Sequence, residues 1–253
     1  LKVVPPFFSH EADVLGALAG APVPQLLGRD GCRMLLAHVD GADLSDADLS
    51  HCLKMIDLLV GVQSRWLGRV DELLPFGLPD WRAPAMTAAI AALVEGRAGE
   101  FSSDQRATLA GFINGLPARF AAIADCGIPD ALVHGDFHPG NFRGDGLSLT
   151  LIDWGDSGIG HPLLDQPAFL DRMPKTGVEQ ARCHWAAAWR RAVAQGDADR
   201  AAALLAPIAG ARQALIYQRF LDNIEDAERP YHRADVGAWL LRTIETLRIE
   251  ERG

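Results

Sequence analysis

Residues 132–155, LVHGDFHPGNFRGDGLSLTLIDWG, constrain this chain more than any other stretch. Ala131 to Val133 is a short apolar run, followed by a polar loop and a turn at Gly144-Asp145-Gly146. A second apolar run, Leu147 to Ile152, stops at Asp153. Two short strands joined by a loop are expected. They would present His134, Asp136, Asn141 and Asp153 from loop and strand-end positions, where a rigid scaffold tends to hold catalytic groups.

These residue types suit phosphoryl transfer from a nucleotide. That chemistry needs a carboxylate to accept a hydroxyl proton and oxygen ligands for Mg²⁺. Asp136 would orient or deprotonate the acceptor hydroxyl, and Asn141 and Asp153 supply the hard oxygens that Mg²⁺ prefers. Two other readings compete. Asp136 and Asn141 are also common turn formers, and Asp153 would cap the next segment. Alternatively, His134, Asp136 and His138 read as the cluster of a metal-dependent hydrolase, with His161 and His184 as further ligands that lack helical His-x-x-x-His spacing.

Residues 132–168 resemble the aminoglycoside phosphotransferase and choline kinase-like family, and the rest of the chain agrees with it in order and composition. The likeness rests on His134-Gly135-Asp136 through Asn141, then Ile152-Asp153-Trp154, then Gly160-His161-Pro162 and Asp165. Asp136 and Asn141 stand five apart, as in the kinase catalytic loop, and Asp153-Trp154-Gly155 stands where a kinase carries D-F-G. The resemblance implies an α+β, protein-kinase-like two-lobe fold with a truncated N-terminal β lobe and a mainly helical C-terminal lobe. It implies Asp136 as catalytic base, Asn141 and Asp153 as Mg²⁺ ligands, ATP or GTP as donor, and a small-molecule hydroxyl as acceptor. His134 and Asp165 would support the catalytic loop.

Upstream, Lys2 lies on an apolar strand like the kinase lysine that meets the nucleotide phosphates, and Glu11 on the next helix, ahead of Asp13, is its expected partner. Leu36 and His38 fall at the expected hinge, where backbone groups would meet the base. The two strands and phosphate-covering loop that the family places before its lysine strand have no counterpart here. A catalytically impaired, nucleotide- or metabolite-binding remnant is therefore the competing class.

The expected domains are residues 1–41, a partial N-terminal lobe, and 42–253, a helical lobe carrying the catalytic loop 132–155. Within the first, Ser9 is the expected cap of a helix ended by Gly20, and Asp30-Gly31 is a hairpin turn. Ser45 with Asp48 reads as the start of the next helix, 74–84 as a loop, and Ser103 as the cap of a helix over 104–124 with a kink at Pro117. Later helices are expected near 162–172, 177–195, 198–208, 210–228 and 231–249.

Charge and composition exclude some functions. A net charge of −9 argues against a nucleic-acid binder, whose footprint is basic, and would suit a cationic acceptor. Asp222, Glu225, Asp226 and Glu228 form a late acidic run, read as a solvated face or as a contact for such an acceptor. Trp185, Trp189 and Trp239 read as core or as an ammonium cage. The four cysteines form no C-x-x-C pair, which favours free thiols in a reducing cytoplasm. No apolar run approaches the ~20 residues that span a bilayer, so no membrane contact is expected.

Overall fold

The computed structural model describes residues 1–145, 148–250 and 252. Gly146 and Leu147, expected in the turn and at the start of the second central strand, lie outside the described residues.

In chain order, β1 (Lys2–Val3) leads through Pro5-Pro6 to helix α1 (Glu11–Ala17). Then come β2 (Leu26–Asp30), β3 (Arg33–Leu36), β4 (Ala42–Asp43) and helix α2 (Leu49–Ser64). Helices α3 (Ala83–Gly96) and α4 (Ser103–Ala124) precede β5 (Ala131–Val133), β6 (Phe142–Gly144), β7 (Leu149–Leu151) and β8 (Gly158–Gly160). The chain closes with α5 (Gln166–Arg172), α6 (Val178–Ala192), α7 (Ala198–Asn223), α8 (Arg229–His232) and α9 (Asp235–Glu250). The strands form three small antiparallel arrangements, β1-β3-β2, β4-β6-β7 and β5-β8.

Two compact units result, Leu1–Pro79 with Gly127–Asp199, and Asp80–Cys126 with Arg200–Gly253. In the first, α2 packs on α6. Ala181, Trp185 and Trp189 recur every fourth residue and so share one face of α6, fully buried. Cys52, Met55, Ile56 and Leu59 of α2 are likewise inaccessible. Both tryptophans are thus core, not a cage. In the second unit, α4 packs on α3 and α9, and Arg119 of α4 bonds the Leu204 carbonyl and Glu250.

Several local expectations are corrected. His10, not Ser9, precedes α1, because Ser9 closes a turn on Pro6. Asp48 caps α2 by accepting the His51 N–H at 2.9 Å, while Ser45 bonds back to Asp43. Residues 74–84 hold a 3₁₀ turn at Leu74–Phe76, and Pro84 lies inside the first turn of α3, where its missing N–H costs nothing. Ser102, one residue earlier than expected, caps α4 in a reciprocal box with Gln105.

The helices expected at 198–208 and 210–228 are one, α7, running through Pro207. Gly210 is no breaker: a Cβ there would lie 2.7 Å from Thr243 Oγ1 on α9, so the glycine marks close helix approach. Finally, α4 is long and apolar enough by composition to cross a membrane, contrary to the expectation that no such run exists. Leu109, Phe112, Ile113, Leu116, Phe120 and Ile123, together with its alanines, supply that apolarity.

Candidate active site

The site is built on β5, the loop after it, and the turn after β7. His134-Gly135 leaves the end of β5, and the buried Asp165 carboxylate fixes this exit. Its oxygens accept the N–H groups of His134 at 2.8 Å and Gly135 at 2.9 Å, and the amide of Gln63 at 3.0 Å. Gly135 has φ +94°, and a Cβ there would stand 2.0 Å from the Asp156 carbonyl oxygen, so only glycine fits.

His134 is fully buried. Its Nε2 bonds the Ile152 carbonyl at 3.0 Å, and its Nδ1 accepts the Asp136 N–H at 3.3 Å. Burial lowers its pKa and keeps the ring neutral. With both ring nitrogens committed, His134 is not placed to ligate a metal. Among the described residues no group of three or more His, Cys, Asp or Glu is so placed. The hydrolase reading loses its cluster.

Phe137, between Asp136 and His138, anchors the loop. It is inaccessible, stacked on Phe169 at 4.8 Å and edge-on to Phe142 and Trp185. Burying such a ring contributes about 1.5–3 kcal/mol, enough to hold its polar neighbours outward.

Asp136 is surrounded by donors. Its Oδ2 receives Asn141 Nδ2 at 3.2 Å and lies 3.3 Å from His138 Nε2; its Oδ1 receives Arg172 Nη1 at 3.2 Å. His138 Nδ1 accepts the Gly140 N–H, which leaves the proton on Nε2, pointing at Asp136. Burial pushes the Asp136 carboxyl up. The His138 hydrogen bond and the charge of Arg172 outweigh burial, holding it well below the ordinary carboxylate range.

Asn141 also donates to the Asp136 carbonyl at 2.7 Å, so its side-chain oxygen stays uncommitted. The Ile152 N–H donates to the Asn141 carbonyl at 2.9 Å, which brings Asn141 beside the end of β7 and hence beside Asp153. Asp153 has φ 63°, the one left-handed non-glycine among the described residues. Such backbone costs on the order of 1–3 kcal/mol and gathers at active sites.

Lys2 Nζ lies 2.8 Å from Asp153 Oδ1 and 2.7 Å from Glu11 Oε1, and Glu11 Oε1 also accepts the Trp154 N–H at 3.3 Å. Burial works against the Lys2 charge, but bonds to Asp153 and Glu11 outweigh it and raise its pKa. Burial raises Glu11. His10 Nε2 bonds the Gly155 carbonyl at 2.8 Å, tying α1 to the same turn.

Of the residues expected from sequence, Lys2, Glu11, Asp136, Asn141 and Asp153 are thus gathered in one unit. Leu36 and His38 share no hydrogen bond or ion pair with them; the His38 ring is largely exposed, 3.4 Å from Asp40. Arg172, Gln63 and His10 escaped the sequence reading. Each meets its partner from 36 to 145 residues away in sequence, and nothing local marks them.

A sequence model described as the phosphotransferase enzyme family matches residues 3–205. No curated protein sequence matches the chain. Among solved structures, Plasmodium vivax ethanolamine kinase is similar with a TM-score of 0.65 at 13% identity, over 98% of this chain and 73% of that one. Macrolide 2'-phosphotransferase from Brachybacterium faecium gives 0.58 at 17%, over 92% and 79%. The GDP complex of aminoglycoside 2'-phosphotransferase-IIIa gives 0.57 at 16%, over 97% and 82%. At these identities the likeness is one of fold, α+β and protein-kinase-like. The family match spans most of the sequence, and on it the chain belongs to the phosphotransferase enzyme family, enzymes that pass a phosphoryl group to an alcohol.

Proposed function

We propose that the protein transfers the γ-phosphate of ATP or GTP to a hydroxyl of a small molecule, with Mg²⁺ held by Asn141 and Asp153. One observation carries this reading: an ionised, donor-ringed Asp136 shares one compact site with Asn141, Asp153 and the Lys2–Glu11 pair.

The residues fit the metal. Asn141 keeps its side-chain oxygen uncommitted, and Asp153 keeps one carboxylate oxygen that Lys2 does not use. Both are hard oxygen donors. Bound there, Mg²⁺ would neutralise phosphate charge as the transfer proceeds. The chain's own groups do the rest. Lys2 stays fixed by Glu11 while its ammonium serves the phosphates, and Asp136 orients the acceptor hydroxyl. Ionised among its donors, Asp136 can accept a hydrogen bond from that hydroxyl.

Thermal stability is measured with and without ATP or GTP, each with and without Mg²⁺, followed by transfer to a panel of hydroxyl acceptors. A ligand that binds only the folded state raises stability by about 2.7 kcal/mol at a hundredfold excess over Kd. A Mg²⁺-dependent rise together with transfer supports the proposal. A rise with no transfer to any acceptor supports the impaired, binding-only reading instead.

A further inference from the structure

The two oxygens of Asp136 face different company. Oδ2 meets Asn141, on the side assigned to metal and nucleotide, and Oδ1 meets Arg172 alone. Arg172 is therefore placed on the edge that an acceptor must approach.

Its position is built in. Arg172 ends α5, and Phe169, one turn earlier, stacks on Phe137, the neighbour of Asp136. Both rings are inaccessible, so helix and loop move as one piece. The guanidinium itself is about half exposed, at 47%. A guanidinium carries five N–H donors in a planar fork, and the Asp136 bond at 3.2 Å uses one. The others open toward solvent beside the base.

An acceptor hydroxyl has to share Oδ1 with Arg172 or displace it. A half-exposed ion pair is weak, so a second anion at this edge can recruit the fork bidentately. An ammonium in the same place would meet like charge. The net charge of −9 does not reverse this, because solvent-exposed charges beyond roughly 8–10 Å are screened.

We propose that Arg172 selects the acceptor, a small molecule with a carboxylate or phosphate close to the hydroxyl that is phosphorylated. The inference rests on the phosphotransferase reading of the same site. In the transfer, the hydroxyl oxygen bonds to the γ-phosphorus, and the bond from that phosphorus to the β–γ bridging oxygen breaks. The nucleoside diphosphate leaves with the electron pair, and the hydroxyl proton passes to Asp136 and then to solvent.

The full chain is assayed with Mg-ATP and Mg-GTP against matched acceptors: hydroxy acids and their amides, sugar phosphates and the free sugars, and amino alcohols. The expected result is a preference for one acidic class over its uncharged counterpart. R172Q should raise KM for that acceptor on the order of 10- to 100-fold, the scale of a lost charge-assisted hydrogen bond, with a smaller fall in kcat. R172K should restore part of the loss, which ties the loss to the charge, and the turnover that R172Q retains shows that it is folded. The responding arm separates carboxylate from phosphate. Transfer that favours uncharged or amino acceptors, or an R172Q enzyme with unchanged acidic preference, overturns the inference alone. No transfer to any acceptor overturns the function and the inference together.

Discussion

Asp165 Oδ2 accepts the His134 N–H at 2.8 Å across thirty-one residues of sequence. Its other oxygen accepts the next N–H, that of Gly135, at 2.9 Å. The pair of bonds clamps the chain where it leaves β5, two residues before the candidate base. Both donors are buried, so no water replaces the carboxylate if it is removed.

Asp165→Ala should therefore take this acceptor from two buried N–H groups, while the Gln63 amide keeps the Pro162 carbonyl at 3.3 Å. At about 1–3 kcal/mol for each unsatisfied group, the expected loss is several kcal/mol in urea unfolding at neutral pH. A loss under about 1 kcal/mol would show that the clamp contributes little.

Asp136→Asn should lower turnover by roughly 10²–10⁴-fold, the usual worth of a positioned general base. Nucleotide affinity should change little, because Lys2, Asn141 and Asp153 remain. Steady-state kinetics with a nucleotide titration checks both halves. Activity equal to the parent would remove Asp136 from the chemistry.

Asp153→Gly separates backbone from ligand. Glycine adopts the left-handed conformation without the side-chain penalty, which offsets the lost ion pair to half-exposed Lys2. Stability should shift by less than about 1 kcal/mol, while Mg²⁺-dependent stabilisation by nucleotide disappears. Retained Mg²⁺ dependence would place the metal elsewhere.

His161 gives a pH signature. Burial holds its imidazole down to about 3 from an ordinary 6.5, with Nδ1 accepting the Leu163 N–H. The unfolded chain binds a proton below pH 6.5 that the folded chain refuses until about pH 3. Stability is thus complete above 6.5 and lost as pH falls toward 3, by up to about 1.4 kcal/mol per pH unit. His161→Asn keeps an acceptor for Leu163 and removes the titration. Its stability should fall less steeply than the parent's over this window, measured by unfolding at each pH. Parallel curves would refute the assignment.

The sequence by itself determined which polar groups the central strands present together. Asp136, Asn141 and Asp153 were legible because a strand, a short loop and a second strand leave few ways to arrange them. The Lys2–Glu11 pair was legible only with the family resemblance added to strand and helix order. Helix starts were read to within a few residues, since a cap depends on one side chain and its nearest N–H groups; Ser102 and Asp48 won over Ser103 and Ser45 on geometry that spacing does not encode.

Tertiary structure decided what surrounds those groups. Stacking of Phe137 on Phe169 brings Arg172 to one oxygen of Asp136. The packing of α2 carries Gln63 to Asp165 across 102 residues, and α1 reaches the Asp153 turn through Glu11 and His10. The helices expected at 198–208 and 210–228 proved continuous, with Gly210 in contact with Thr243. The reason is physical: short-range backbone and side-chain preferences are written in adjacent residues. The partners of a buried polar group are chosen by which apolar faces pack together, and that depends on the whole chain at once.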